Sequence, residues 1–83
     1  MKNKDIKELI KTLLSTKTES EMFDLLKGLL TSGELGEISS RLSIVRLLKE
    51  GVPQRKIADK LRVGIATVTR GSRELKNGRF KNI

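Results

Sequence analysis

The stretch formed by residues 54–76 constrains the fold of this chain more than any other. Its first part carries Ile57, Ala58 and Leu61 at i, i+1 and i+4, which is one apolar stripe at helical spacing. Ala58 is small, and a small residue on this stripe lets a second helix cross close to the first. The first part therefore predicts a helix that packs closely against its neighbour.

The second part of the stretch has its own apolar face. Ile65, Val68 and Leu75 are expected to mark the inner side of a second helix. Between the two helices, residues 62–64 leave room only for a sharp corner, and Gly64 tolerates the positive φ that such a corner often needs. Two helices joined in this way predict a helix-turn-helix.

Side chains that face away from these stripes are polar and mostly basic. They are Arg55, Lys56, Lys60, Arg62, Thr67, Thr69, Arg70, Arg73 and Lys76. Residues 41–83 carry twelve Lys or Arg against three acids, whereas residues 1–40 carry six Lys against seven acids, so the net charge of +8 lies in the second half. Such an asymmetry favours a polyanionic partner. Phe23 and Phe80 are the only aromatic residues, which leaves little for base stacking and favours double-stranded DNA.

The composition excludes several classes of function. The 83 residues contain no cysteine and no histidine, so disulfides, Cys or His metal ligands and a histidine general base are absent. No apolar run approaches the roughly 20 residues of a membrane span, and no signal peptide is visible. A chain of this length forms one small domain with a marginal core. We expect a cytoplasmic protein that is not an enzyme, binds no metal and no membrane, and pairs with another chain.

Two amphipathic helices are predicted ahead of the motif. The first, over residues 4–15, has an apolar face formed by Ile6, Leu9, Ile10, Leu13 and Leu14. Thr18 and Glu21 match a capping box that opens the second helix. The apolar face of that helix is wide enough for a subunit interface and contains Met22, Phe23, Leu25, Leu26, Leu29 and Leu30.

A third helix is predicted from a cap at Ser32 to a glycine stop at Gly51, and Pro53 suits the first turn of the next helix. Its inner face is expected to contain Leu35, Ile38, Leu42, Val45 and Leu48. Residues 77–83 show no periodicity and are predicted to form a loose tail. The whole is an all-α domain of five helices, in which residues 4–51 form a helical dimerisation core and residues 52–76 the helix-turn-helix.

The letters GIATVTRGS of residues 64–72, followed by Leu75 and Lys76, closely resemble the recognition-helix segment of the tryptophan operon repressor family. Weaker similarity extends upstream through residues 54–55, 40–41 and 30–31, so that the resemblance covers roughly residues 19–76. The spacing from Thr18 to Gly51 is also similar to that of shorter Trp-repressor-like proteins, which lack the last helix of the full repressor.

The resemblance implies an intertwined homodimer whose two helix-turn-helix heads enter successive major grooves of a palindromic operator. It also implies L-tryptophan as a corepressor, bound between the core and the recognition helix. Matched to the family, Arg41 and Arg70 flank the ligand, one holding its carboxylate and the other stacking on the indole ring. The other matching pocket positions are Leu30, Thr31, Thr67 and Gly71.

Two residues depart from the family pattern. Gly28 stands where a larger apolar residue borders the pocket, and Glu74 stands where the family has a serine near the ligand's amino group. Glu74 can still pair with an ammonium group. Without the resemblance, Arg41 is equally a surface arginine of the third helix, and Arg70 is equally a phosphate contact.

The operator is expected to be read by the start of the recognition helix. Bases are predicted to meet Ile65, Ala66, Thr67 and Thr69, directly or through water. In the preceding helix, Arg55 is the best candidate for a guanine contact, with Gln54 nearer the phosphates. Phosphates are predicted to be neutralised by Lys56, Lys60, Arg62, Arg73 and Lys76.

Three functions remain open at this point. The leading one is a homodimeric transcriptional repressor of the Trp repressor type with L-tryptophan as corepressor. The second is a regulator of the same fold that is ligand-independent or uses another effector. The third is a protein-interaction module whose basic face binds an acidic partner. Apart from these functions, the basic face could simply be the solvated surface of a helical hairpin.

Overall fold

The computed structural model describes residues 2–83 and contains, over them, five α-helices and no strand. The helices are α1 (Asn3–Ser15), α2 (Glu19–Leu29), α3 (Ser32–Lys49), α4 (Gln54–Leu61) and α5 (Ile65–Lys76). The prediction of an all-α fold with five helices is confirmed. None of the described helices is long and apolar enough to cross a membrane.

The chain divides into two compact units, one ending at Leu35 and the other running from Gly36 to Ile83. In the first unit, which contains α1 and α2, no described residue is buried. Its exposed large apolar side chains are Ile6, Leu9, Ile10, Leu14, Phe23 and Leu29. Exposed apolar side chains that form a contiguous patch commonly mark a site of association with another protein.

Threonine caps begin both α2 and α3. The Thr18 hydroxyl accepts from the Glu21 N–H at 3.1 Å, as predicted, but the Glu21 carboxylate accepts from the Lys17 N–H at 2.7 Å. At α3 the predicted cap at Ser32 is wrong. Thr31 provides the cap instead, because its hydroxyl accepts from the Glu34 N–H at 3.1 Å while its own N–H donates to the Glu34 carboxylate at 2.9 Å.

The hydrogen bonds from Thr31, first the one from its backbone and then the one from its side chain, lower the pKa of the Glu34 carboxyl from its ordinary value of 4.5. A carboxyl whose pKa is lower in the folded state stabilises the fold above its unfolded pKa. This stabilisation is lost as the pH falls through the lower, folded value.

The core of the second unit is small. It consists of Ile44, Ile57, Ala58 and Val68, with Leu47, Leu48, Val52, Leu61 and Val63 partly buried around it. On α3, Val45 is buried as predicted, but Ile38 and Leu42 are exposed and Ile44 was missed. Apolar residues lie on more than one side of α3, so its periodicity alone does not identify the buried face.

The corner between α4 and α5 has a different geometry from the one predicted. Gly64 is extended, with φ −67 and ψ 147, and the left-handed residue is Arg62, with φ 55 and ψ 47. The Val63 N–H donates to the Ala58 carbonyl oxygen at 3.1 Å, a helix ending that requires the left-handed residue. Ile65 was expected on the inner face, yet it is 50% exposed. The helix-turn-helix itself is confirmed.

Residues 77–83, predicted to be a loose tail, form turns that follow α5 closely. Gly78 has φ 91, and the Arg79 N–H donates to the Glu74 carbonyl oxygen at 3.0 Å. The Arg79 guanidinium also pairs with the Glu74 carboxylate at 3.6 Å. Gly78 therefore continues the end of α5 into a turn, which the lack of periodicity did not indicate.

Because Arg62 carries a side chain in a left-handed conformation, Arg62→Gly is expected to raise the free energy of unfolding by up to about 1 kcal/mol. Chemical denaturation at fixed protein concentration measures this. The matched control is Arg73→Gly, inside α5, which should lower the same quantity by about 1 kcal/mol. Equal destabilisation by both variants would contradict the left-handed corner.

Candidate nucleic-acid interface and ligand pocket

The start of α5 presents an open surface. Ile65, Ala66, Thr67 and Thr69 are all exposed, while Val68 between them is fully buried against the core. One buried residue thus fixes which side of the helix faces outward. The four residues predicted to read bases therefore lie on the accessible part of the recognition helix.

A hydrogen bond between side chains connects this helix with α4. The Thr69 hydroxyl lies 2.9 Å from Gln54 Oε1 and 3.0 Å from the Ile65 carbonyl oxygen, and it can donate to either. Its donor capacity is therefore used within the protein, which sequence reasoning did not foresee. The Gln54 amide nitrogen points to no partner among residues 2–83 and remains a donor for an external acceptor.

The predicted phosphate contacts and the predicted guanine contact are all exposed. They are Lys56, Lys60, Arg62, Arg73 and Lys76, together with Arg55. Across residues 2–83 the structure forms one salt bridge, between Glu74 and Arg79, so the charge of these six side chains is uncompensated. An exposed, uncompensated positive surface is the electrostatic requirement for binding a nucleic-acid backbone.

A cavity of about 300 Å³ lies beside this surface, between α3 and α5. Its walls are formed by Arg41, Ile44, Val45, Ala66, Thr67, Arg70, Gly71, Glu74 and Phe80. The structure thus brings together Arg41, Thr67, Arg70 and Gly71 from the predicted ligand set. Leu30 and Thr31 belong to the first unit, so their part in a ligand site stays a prediction.

The two helices that line the cavity approach each other closely at Gly71. A Cβ at this position would lie 3.2 Å from Ile44 Cγ2 and 3.5 Å from Leu48 Cδ1. The first distance is shorter than ordinary van der Waals contact, so a larger residue would require the Ile44 side chain to give way by a few tenths of an ångström. The absence of a side chain at Gly71 therefore lets the backbone of α5 lie close to α3 at the wall of the cavity.

The charged side chains that line the cavity remain in contact with water. Arg41 and Arg70 are exposed, and within the described chain neither guanidinium forms a salt bridge. Ile44 and Val45 supply a buried apolar floor. Two unpaired guanidinium groups above an apolar floor can bind an organic anion that has an apolar body.

Sequence reasoning missed several lining residues. Ile44 and Val45 follow Arg41 by three and four positions, which is the spacing of one helix face and could have identified them. Phe80 gave no signal, because its segment has no periodicity. The segment contacts α3 through the Lys49 ammonium group, which donates to the backbone oxygens of Phe80 and Ile83.

Two further observations concern Gly28 and metal binding. A Cβ at Gly28, which departs from the family pattern, would meet no atom within 4 Å among the described residues. Within the same part of the chain, no group of three or more acidic, histidine or cysteine residues is placed to hold a metal ion.

Removing the Thr69 hydroxyl leaves the half-buried Gln54 oxygen without this donor. Thr69→Val is therefore expected to lower the free energy of unfolding by about 1 kcal/mol. Thr67→Val is the control, since the Thr67 side chain is exposed and makes no hydrogen bond within residues 2–83, and it should change the value by less than about 0.5 kcal/mol. Equal effects in denaturant unfolding would show that the Thr69–Gln54 bond does not connect the two helices.

The sequence matches the family described as Trp repressor protein over residues 4–82. It is 39% identical over 75 residues to a Trp operon repressor homolog of Vibrio campbellii, covering 89% of this chain and 75% of the relative. It is 46% identical over 66 residues to a Trp operon repressor homolog of Chlamydia trachomatis serovar L2, covering 76% of this chain and 70% of the relative. No solved structure matches the chain significantly. The chain therefore belongs to the Trp repressor family, whose members are transcriptional regulators and not enzymes.

Proposed function

We propose that the chain is a homodimeric repressor that binds a palindromic operator in double-stranded DNA, with L-tryptophan as corepressor. The observation that carries the proposal is the exposed, uncompensated basic surface on the helix-turn-helix. The family and the names of its relatives, which are Trp operon repressor homologs, support the same function.

The proposed contact with DNA follows from how the helices lie. The exposed start of α5, with Ile65, Ala66, Thr67 and Thr69, provides apolar contacts and hydroxyl oxygens for base edges in a major groove. Arg55, in the first turn of α4, carries the bidentate donor geometry that guanine recognition uses. The Gln54 amide nitrogen is a donor for a nearby phosphate oxygen.

The homodimer is supported by the first unit. Neither α1 nor α2 buries a residue, and six of their large apolar side chains are exposed in the single chain. At roughly 25 cal/mol for each Å² of apolar surface removed from water, covering these faces would stabilise an association strongly. A second copy of the chain offers an equally apolar face, and a symmetric dimer matches the symmetry of a palindrome.

L-Tryptophan fits the cavity in chemistry. Its carboxylate suits Arg41 or Arg70, and its indole ring suits the apolar floor and the planar guanidinium of the other arginine. Thr67 and Arg70 lie on the recognition helix, so the occupant of the cavity touches the helix that reads DNA. A ligand that binds the operator-competent orientation of α5 more tightly shifts the population toward it.

Lys60→Ala is expected to weaken binding to all duplexes alike and to flatten the dependence of log K on log salt by about one unit, since one phosphate contact is lost. Arg55→Ala should instead reduce discrimination at one base pair by about 1–3 kcal/mol. Fluorescence anisotropy with a selected palindromic duplex and single-base variants measures both. Uniform weakening by Arg55→Ala would contradict its assignment to base readout.

Calorimetric titration with L-tryptophan tests the corepressor. We expect saturable binding that Arg70→Ala weakens at least tenfold, because the variant loses a charged contact and a stacking surface. Arg73→Ala is the control, since Arg73 lies on the same helix but outside the cavity, and it should leave the affinity unchanged. No heat at millimolar ligand would favour the alternative, a DNA-binding regulator of the same fold that is ligand-independent or has another effector.

A further inference from the structure

We infer that Phe80 forms an aromatic wall of the cavity, against which the aromatic ring of the effector packs, and that Lys49 positions this wall. The inference rests on the proposed ligand function of the cavity and adds a residue that recognises the ring. The resemblance over residues 19–76 assigns Phe80 no role, since Phe80 lies beyond them.

The first support is the place of Phe80 in the lining of the cavity. The other lining residues belong to α3 or α5, whereas Phe80 belongs to the turns after α5 and is the one aromatic side chain among them. Ile44 and Val45 form the apolar floor. Aromatic rings pack against each other in offset or edge-to-face arrangements, which stabilise the pair beyond the effect of buried area. A ligand with a ring on this floor would therefore meet a second ring.

The second support is the backbone at Phe80. Its φ is 63, in the left-handed region that a bulky aromatic residue rarely adopts. A conformation of this kind persists only where the surrounding structure imposes it, and such conformations gather at ligand sites. Glycine at this position would relieve the backbone and remove the ring at the same time. The backbone strain and the ring contact can therefore be separated by experiment.

The third support is that the segment around Phe80 contacts both helices of the cavity. On the side of α5, the Arg79 N–H donates to the Glu74 carbonyl oxygen at 3.0 Å. On the side of α3, the Lys49 ammonium group donates to the backbone oxygens of Phe80 and Ile83. Lys49 is the last residue of α3, the helix that supplies the apolar floor. Phe80 thus lies between two attachments, one to each helix.

Phe80 and Lys49 have different roles in this arrangement. Phe80 is 38% exposed, so a ligand in the cavity can still cover part of its ring. Lys49 does not line the cavity, and its hydrogen bonds go to backbone oxygens of the segment. Phe80 is therefore the residue that contacts the effector, and Lys49 is a positioning residue that acts through it.

The test is calorimetric titration of the full chain with L-tryptophan. Phe80→Ala and Phe80→Gly should each weaken binding about tenfold, and Phe80→Leu, which keeps an apolar side chain without a ring, about threefold. In denaturant unfolding, Phe80→Gly should be the more stable of the first two variants, because glycine accepts the left-handed conformation. Lys81→Gly is the matched control, since Lys81 lies in the same turns but outside the cavity, and it should leave the affinity unchanged.

The role of Lys49 is tested with Lys49→Met, which keeps an unbranched side chain but removes the donor. The variant should weaken L-tryptophan about threefold in the wild-type chain and leave the affinity unchanged in Phe80→Ala, because a residue that acts through the ring has no effect without it. A loss of the same size in both backgrounds would overturn the assignment of Lys49 as a positioning residue.

The outcomes separate this inference from the proposed function. If the wild-type chain does not bind L-tryptophan, the proposed corepressor function fails, and the aromatic wall fails with it. If L-tryptophan binds the wild-type chain, Phe80→Ala and Phe80→Gly equally well, only the aromatic wall fails. An equal loss in Lys81→Gly would trace the effect to the backbone of the segment and would also overturn the inference.

Discussion

The close approach of α5 to α3 at Gly71 is the constraint on which the rest of the second unit depends. With no Cβ at this position, Ile44 and Leu48 can lie against the backbone of the recognition helix. The same contact lies at the wall of the cavity that α3 and α5 line together. The proposed ligand site and the proposed DNA-reading helix therefore share this packing contact.

Burial is distributed unevenly over the two units of this short chain. Buried apolar residues gather around α4, α5 and the end of α3, where Ile57 and Val68 are completely covered. No described residue of the first unit is buried, and six of its large apolar side chains are exposed. A packed helix-turn-helix unit and a segment with exposed apolar side chains fit the proposed homodimeric DNA-binding protein.

Much of the fold could be predicted from the sequence, because the positions of the helices depend on local residue patterns. The helical spacing of apolar residues predicted the five helices. The end of α3 near Gly51 and the cap of α2 at Thr18 follow from local hydrogen bonds. What could not be predicted depends on tertiary contacts. Periodicity does not show which side of α3 is buried, and Phe80 enters the cavity through hydrogen bonds from Lys49, thirty-one residues away.

The measurement that tests the central claim most directly is the operator affinity of the wild-type chain with and without saturating L-tryptophan. Palindromic duplexes selected from a random pool serve as the DNA, and the salt concentration is held fixed. Since the cavity is bounded by the recognition helix, we predict that the ligand tightens binding by about 5- to 150-fold, the usual range of coupling between two sites. Equal affinities under both conditions, with the cavity demonstrably occupied, would contradict the account.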